Sequence, residues 1–177
     1  MDLGIKGKVA AITASSRGLG KAVAEALAKE GVCLAICSRD ENKLNETADY
    51  LKEKYKVEVK PLVCDVSDPA AVKAFREEVQ AHFKACHILF TNSGGPPAGT
   101  VMDYKVNDYR EALELNLLST ISLVEEFLPI MTEQKWGRII ALTSITVKQP
   151  LSNLVLSNVS RVGVVAFNNY GQTTTPL

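Results

Sequence analysis

Five short apolar runs alternate with segments of helical period, and this alternation restricts the possible folds more than any other feature of the chain. Lys8–Thr13, Val32–Ser38, Val57–Cys64, His87–Asn92 and Arg138–Ser144 are near-continuously apolar and rich in Val, Ile and Leu. Strands covered by helices on both faces read this way. Between them, Leu19, Val23 and Leu27 are spaced by four, and Gly31 is placed to end that helix. Asp40 precedes a helix carrying Leu44, Ala48 and Leu51; Asp68-Pro69 is a cap with proline in the first turn, followed by the stripe Val72, Phe75, Val79 and Phe83. A long helix is expected from about Asp108 to Thr132, and a last one from about Ser152 to Phe167. Strand–helix alternation of this length makes right-handed βαβ units. The fold class is therefore α/β: three layers, doubly wound, with a parallel sheet; the strand order expected for it is 3-2-1-4-5. No repeat or linker interrupts it, so residues 1–177 are expected to form one domain, with residues 168–177 (NNYGQTTTPL) losing helical character.

Apolar residues make up 46% of the 177, enough for a core, and 20 basic residues balance 20 acidic ones. A net charge near zero gives no electrostatic reason to expect nucleic acid or an anionic membrane as partner. No apolar run approaches the ~18 residues of a membrane span, and the N-terminus lacks signal-peptide architecture; the expectation is a cytoplasmic protein. Cys33, Cys37, Cys64 and Cys86 form no CxxC pattern and no metal-ligand pattern with His82 and His87. They are expected to be structural core residues in a reducing compartment.

The turn after the first strand reads Thr13-Ala14-Ser15-Ser16-Arg17-Gly18-Leu19-Gly20 and opens a helix. Glycines there permit a tight turn and let a phosphate approach the N–H groups of the helix start, where the dipole favours negative charge. Two glycines do not make a GxGxxG pattern, and an ordinary turn would look similar. The position between first strand and first helix favours a nucleotide site.

Several features in order resemble the short-chain dehydrogenase/reductase family, most closely its 3-oxoacyl-acyl-carrier-protein-reductase-like members. The loop resembles the family's TGxxxGxG motif, with Ala14 at the first glycine. Asp65-Val66 resembles its adenine-contacting Asp, and Asn92-Ser93-Gly94-Gly95 its NNAG motif. Asn116 matches the Asn of the long helix, and Ser144 the catalytic serine after the fifth strand. The likeness covers residues ~5 to 167 and implies a Rossmann-type domain. It also implies that Thr13, Ser15, Ser16, Arg17, Gly18, Leu19, Gly20, Asp65, Val66, Asn92, Ser93 and Gly94 serve a nicotinamide cofactor.

The choice of cofactor rests on the second strand's end, Ser38-Arg39-Asp40. An acidic residue at the strand tip would accept bonds from the ribose of NAD(H). Ser38 stands there instead, followed by Arg39, and a hydroxyl with a guanidinium suits the 2′-phosphate of NADP(H). NADP(H) is favoured. A shift of one residue would make Asp40 the acceptor and return the preference to NAD(H).

The resemblance implies hydride transfer on a small-molecule carbonyl/alcohol substrate, with a proton supplied by a tyrosine whose pKa is lowered by a lysine four residues on. Counted from Ser144, those positions hold Ser157 and Arg161. No tyrosine occurs between Tyr109 and Tyr170, and no lysine follows Lys148. Two readings stay open. Ser144, Asn116, Ser157 and Arg161 together run a divergent reductase, or the chain is a non-catalytic dinucleotide-binding pseudoenzyme or truncated fragment. Family members continue beyond this helix, so the fifth strand is expected to leave an unpaired edge that self-association or the tail covers. A homo-oligomer is the expectation.

Overall fold

The computed structural model describes residues 2–174. Its elements follow the alternation: β1 (Val9–Ile12), α1 (Gly18–Lys29), β2 (Cys33–Ser38), α2 (Glu41–Tyr55), β3 (Val59–Val63), α3 (Pro69–Phe83), β4 (Ile88–Thr91), α4 (Val106–Leu113), α5 (Ser119–Glu133), β5 (Arg138–Ala141) and α6 (Val155–Thr174). All strand pairings are parallel, as the alternation implies, and the order is the expected β3-β2-β1-β4-β5. The fold is the three-layer, doubly wound arrangement.

The period of two in each strand divides the core between two faces. Ala10, Ile12, Leu34, Ile36, Ile88 and Phe90 pack with residues of α1 and α2. Ala11, Ala35, Cys37 and Leu89 pack with Val72, Phe75 and Val79 of α3 and Leu123, Phe127 and Met131 of α5. Each large apolar side chain buried this way contributes about 1.5–3 kcal/mol. The helix signals are used as read. The Asp40 carboxylate accepts from Lys43 N at 3.1 Å and Asp68 from Ala70 N at 2.9 Å, while Gly31 takes a left-handed φ of +76° just past α1.

The C-terminal half departs from expectation in four places. The single long helix is divided by a π-helical turn, Glu114–Leu118, which inserts an extra residue and turns Asn116 inward. The last helix does not stop at Phe167: residues 168–174 continue it. One glycine, Gly171, costs a helix only about 1 kcal/mol, and no proline occurs between Pro150 and Pro176. Residues 175–177 of the expected irregular tail lie outside the described residues. β5 ends at Ala141, so Ser144 stands beyond it and caps a short 3-10 turn, Ile145–Val147. β5 pairs with β4 alone among the described residues, and Ile140 is half-exposed. Finally, Val106–Glu133 is by length and composition apolar enough to cross a membrane. No unbroken apolar run marks it, because Glu111, Glu114, Glu125 and Glu126 punctuate it. Its inner face packs on α3 and β4, as the core helix of an α/β sandwich does.

Candidate functional site

A cleft of about 600 Å³ opens where the carboxyl ends of all five strands meet the loops that follow them. The residues after β1 form its floor. Gly18 has φ +58°, with no atom within 4 Å of where a Cβ would stand, so the backbone is open to a ligand there. Gly20 is the reverse: an added Cβ would lie 2.3 Å from the Ala14 carbonyl oxygen. α1 thus abuts the loop so tightly that only glycine fits. Ala14 takes the left-handed φ of 47° that its position requires, in a region where a Cβ is strained. Arg17 makes no capping bond to α1, and no acidic residue occupies the first turn. The first N–H groups of this helix therefore have no side-chain partner, which suits an anion.

Thr13 and Ser15 hold this floor from behind and do not line the cleft. The Thr13 hydroxyl donates to Asn92 O at 2.6 Å and accepts from Asn92 N at 2.8 Å, locking the ends of β1 and β4 together. Ser15 Oγ donates to Ile12 O at 2.9 Å and accepts from Cys37 N at 3.1 Å. Thr47 on α2 donates to Ser16 O at 2.9 Å, and Asn92 Nδ2 to Ala14 O at 3.4 Å. These partners come from β2, α2 and the residue after β4, so the loop is tied to three neighbouring elements. Ser16, Arg17, Gly18 and Leu19 face the cleft.

At one end, Ser38 and Arg39 line the wall with Asp65 and Val66. The Ser38 hydroxyl donates to Asp40 O at 3.1 Å, and Arg39 pairs with Asp65 at 3.6 Å. The Asp65 carboxyl is held below its ordinary pKa by the hydrogen bond from Ser67 N and by the nearby Arg39 charge. Asp40 also reaches the wall, but it caps α2 and pairs with Lys43 at 2.7 Å; hydrogen bonds from Lys43 keep its pKa low.

At the other end, Asn92, Ser93 and Gly94 meet Ser144, Ser157 and Arg161 around the same cleft. Ser144 Oγ accepts from Thr146 N at 3.2 Å and from the Thr146 hydroxyl at 3.0 Å. With both acceptor positions engaged, its own proton is free to point into the cleft. Ser157 and Arg161 lie one turn apart on α6 and are buried. Arg161 donates to Leu142 O at 2.8 Å, and burial lowers its pKa from the usual guanidinium value. Of the four cations in the wall, Arg39 and Lys43 have carboxylate partners. Arg17 and Arg161 have none among the described residues, so the cleft carries uncompensated positive charge at both ends.

Asn116 is not in the wall. Its Oδ1 accepts from Ser93 Oγ at 3.0 Å and its Nδ2 donates to Ala112 O at 3.2 Å. Its contact with the cleft wall is through Ser93, and it lies on the π-helical turn, buried. Lys43, Cys64, Pro96, Leu115, Leu142, Thr143 and Leu154 also line the wall, and none of them belongs to a motif legible in the sequence. Gly99 and Leu154 form a parallel bridge, with Gly99 N donating to Asn153 O at 2.8 Å. A Gly99 side chain would meet the Tyr104 ring at 2.7 Å. The run GGPPAG signals an unusual loop, but nothing local says which segment it pairs with.

A family model described as short chain dehydrogenase matches residues 8–172. The 3-oxoacyl-[acyl-carrier-protein] reductase FabG of Escherichia coli is 32% identical over 143 residues, covering 81% of this chain and 57% of that protein. The chain thus spans little more than half of that relative's length. L-sorbose reductase from Gluconobacter frateurii, solved with NADPH and L-sorbose, superposes with a TM-score of 0.94 at 36% identity, covering 98% of this chain and 66% of the other. A short chain dehydrogenase/reductase from Burkholderia phymatum in complex with NAD gives 0.89 at 30% identity, covering 94% and 59%.

Proposed function

The chain belongs to the short-chain dehydrogenase family, and from that premise we propose that it binds NADP(H) in this cleft and acts as an oxidoreductase on a small carbonyl/alcohol substrate. The observation that carries the reading is the convergence of the open α1 terminus at Gly18 and the Ser144–Ser157–Arg161 group on one cleft. The residues fit the cofactor: an uncapped helix start for a diphosphate, Ser38 and Arg39 for a 2′-phosphate, and a buried unpaired guanidinium at the far end. NAD(H) remains the competing cofactor, and Asp40 would be its ribose acceptor.

When bound, the nicotinamide supplies or takes up the hydride. The protein's part is to hold the substrate oxygen and manage its proton. Ser144 donates its free hydroxyl proton as a hydrogen bond to that oxygen. Arg161 stays protonated at neutral pH despite its burial, and its charge favours negative charge building on the oxygen. Ser157 passes the proton, with a water, between that oxygen and solvent. An unactivated hydroxyl is a weak acid, so slow turnover follows. The second reading, dinucleotide binding without turnover, is favoured by the absence of any tyrosine between Tyr109 and Tyr170.

NADPH consumption against a panel of ketones and 3-oxoacyl esters decides between them. Turnover that disappears in Ser144→Ala supports the enzyme. Binding with no turnover on any substrate leaves the second reading.

A further inference from the structure

Two thiols sit together behind one wall of the cleft. Cys37 is on β2, Cys64 directly follows β3, and both belong to the packed cluster facing α3 and α5. The ladder fixes their relation. Cys37 is level with Leu62 and Ser38 with Val63, and Cys64 N donates to Ser38 O at 3.1 Å. Cys64 therefore lies two residues further along the neighbouring strand, on the same face of the sheet as Cys37. Both are free, and each thiol is near enough to shift the pKa of the other, raising that of Cys37. Cys64 forms part of the cleft wall, whereas Cys37 does not. No step proposed for the site uses either thiol.

We propose that Cys37 and Cys64 close into an intrachain disulfide on mild oxidation by hydrogen peroxide, and that closure remodels the cleft wall so that dinucleotide binds more weakly. The second half rests on the cofactor reading above; the first does not. The Cys64 sulfur, at the cleft, attacks one peroxide oxygen. The O–O bond breaks, water leaves, and Cys64 becomes a sulfenic acid. The Cys37 sulfur then attacks the Cys64 sulfur and expels the hydroxyl, which takes the Cys37 proton and leaves as a second water. Two thiols and one peroxide give one disulfide and two waters. The order of attack follows from access: Cys64 forms part of the cleft wall, whereas Cys37 is fully buried behind it.

Both sides of the wall feel the new bond. The Cys37 carbonyl accepts from Ser15 N at 3.0 Å, and Cys37 N donates to Ser15 Oγ at 3.1 Å, so Cys37 is tied to the glycine loop. Cys64 precedes Asp65, which pairs with Arg39. Drawing the sulfurs to the ~2.05 Å of a disulfide pulls these two parts of the wall against each other.

The test treats the full chain with stoichiometric hydrogen peroxide, blocks residual thiols, and maps peptides without reduction. The expected result is an intact-mass loss of two hydrogens and a linked Cys37–Cys64 peptide pair, reversed by dithiothreitol. Cys37→Ala and Cys64→Ala each abolish the link, and the Cys33→Ala/Cys86→Ala double variant retains it, with folding of each checked by circular dichroism. Unreacted thiols, a link through Cys33 or Cys86, or overoxidation of Cys64 without a link overturns the proposal. NADPH titration then compares the reduced and oxidised chains, with affinity expected to fall roughly fivefold or more on oxidation. Equal affinity overturns the remodelling half while leaving the cofactor reading intact. Failure of the reduced chain to bind NADPH overturns the cofactor reading and the remodelling half with it, while the disulfide is still judged by mass.

Discussion

The Arg161 guanidinium donates to the Leu142 carbonyl oxygen at 2.8 Å, fastening α6 to the end of β5 across 19 positions of sequence. Because no carboxylate pairs with it among the described residues, its charge is available to whatever enters the cleft. Replacing Arg161 with Leu removes both the anchor and the charge. A hydrogen bond from a charged group is worth about 1.5–3 kcal/mol, so NADPH affinity is expected to fall about 10- to 100-fold. Arg161→Lys retains the charge and restores part of it. Isothermal titration of the three proteins, each checked for folding, measures this.

Ser144 has its oxygen engaged by Thr146 and its proton free. Ser144→Ala is therefore expected to leave NADPH binding within about twofold and to lower kcat of any turnover by about 10²–10³. Steady-state kinetics alongside the binding titration separates the two effects.

Gly20 and Ala14 test the loop from opposite directions. Gly20→Ala drives a methyl into the Ala14 carbonyl, where backbone must move. A loss of about 1–3 kcal/mol is expected. Ala14→Gly relieves the strained φ of 47° and is expected to gain about 0.5–1 kcal/mol. Urea unfolding of both variants gives the two signs.

Cofactor preference is expected to follow the end of β2. Ser38→Asp places a carboxylate where a 2′-phosphate would sit and a free ribose hydroxyl would bind. The ratio of NADPH to NADH affinity is expected to fall at least ~10-fold, roughly 1.4 kcal/mol. Parallel titrations with the two cofactors read the ratio.

Acid stability follows from Asp65. Its folded pKa lies below the unfolded carboxylate value of ~3.9. A depressed carboxylate contributes stability above that value and loses it as pH falls through the folded pKa. Asp65→Asn is therefore expected to lower Tm at pH 7 and to have less effect near pH 3. The side chain is partly exposed, so the effect is small and weakens with salt.

The parallel sheet was legible because β1, β2 and β4 carry apolar runs, and because α2 and α3 carry caps, Asp40 and Asp68, that act locally; Lys60 and Pro61 interrupt the run of β3, which lies at the edge of the sheet. Positions in the glycine loop and Ser144 could be placed because their spacing from strand ends is short. The inward turn of Asn116 was not legible. A π-helical turn leaves the apolar stripe of the helix nearly unchanged, and the partner Asn116 meets there, Ser93, is 23 positions away in sequence. Nor was the continuation of α6 past Phe167, where a polar run reads as loop by composition although nothing in it forbids a helix. The Gly99–Leu154 bridge joins segments 55 positions apart, beyond the reach of any periodicity.

The central claim is that one dinucleotide spans this cleft, its diphosphate at the start of α1 and its nicotinamide beside Ser144. A crystal structure of the chain grown with saturating NADPH tests it most directly. The account predicts density for the diphosphate within hydrogen-bond reach of the Gly18–Gly20 amides and for the nicotinamide ring against Ser144 and Arg161. An empty cleft at saturating NADPH, or the cofactor bound elsewhere on the molecule, contradicts it.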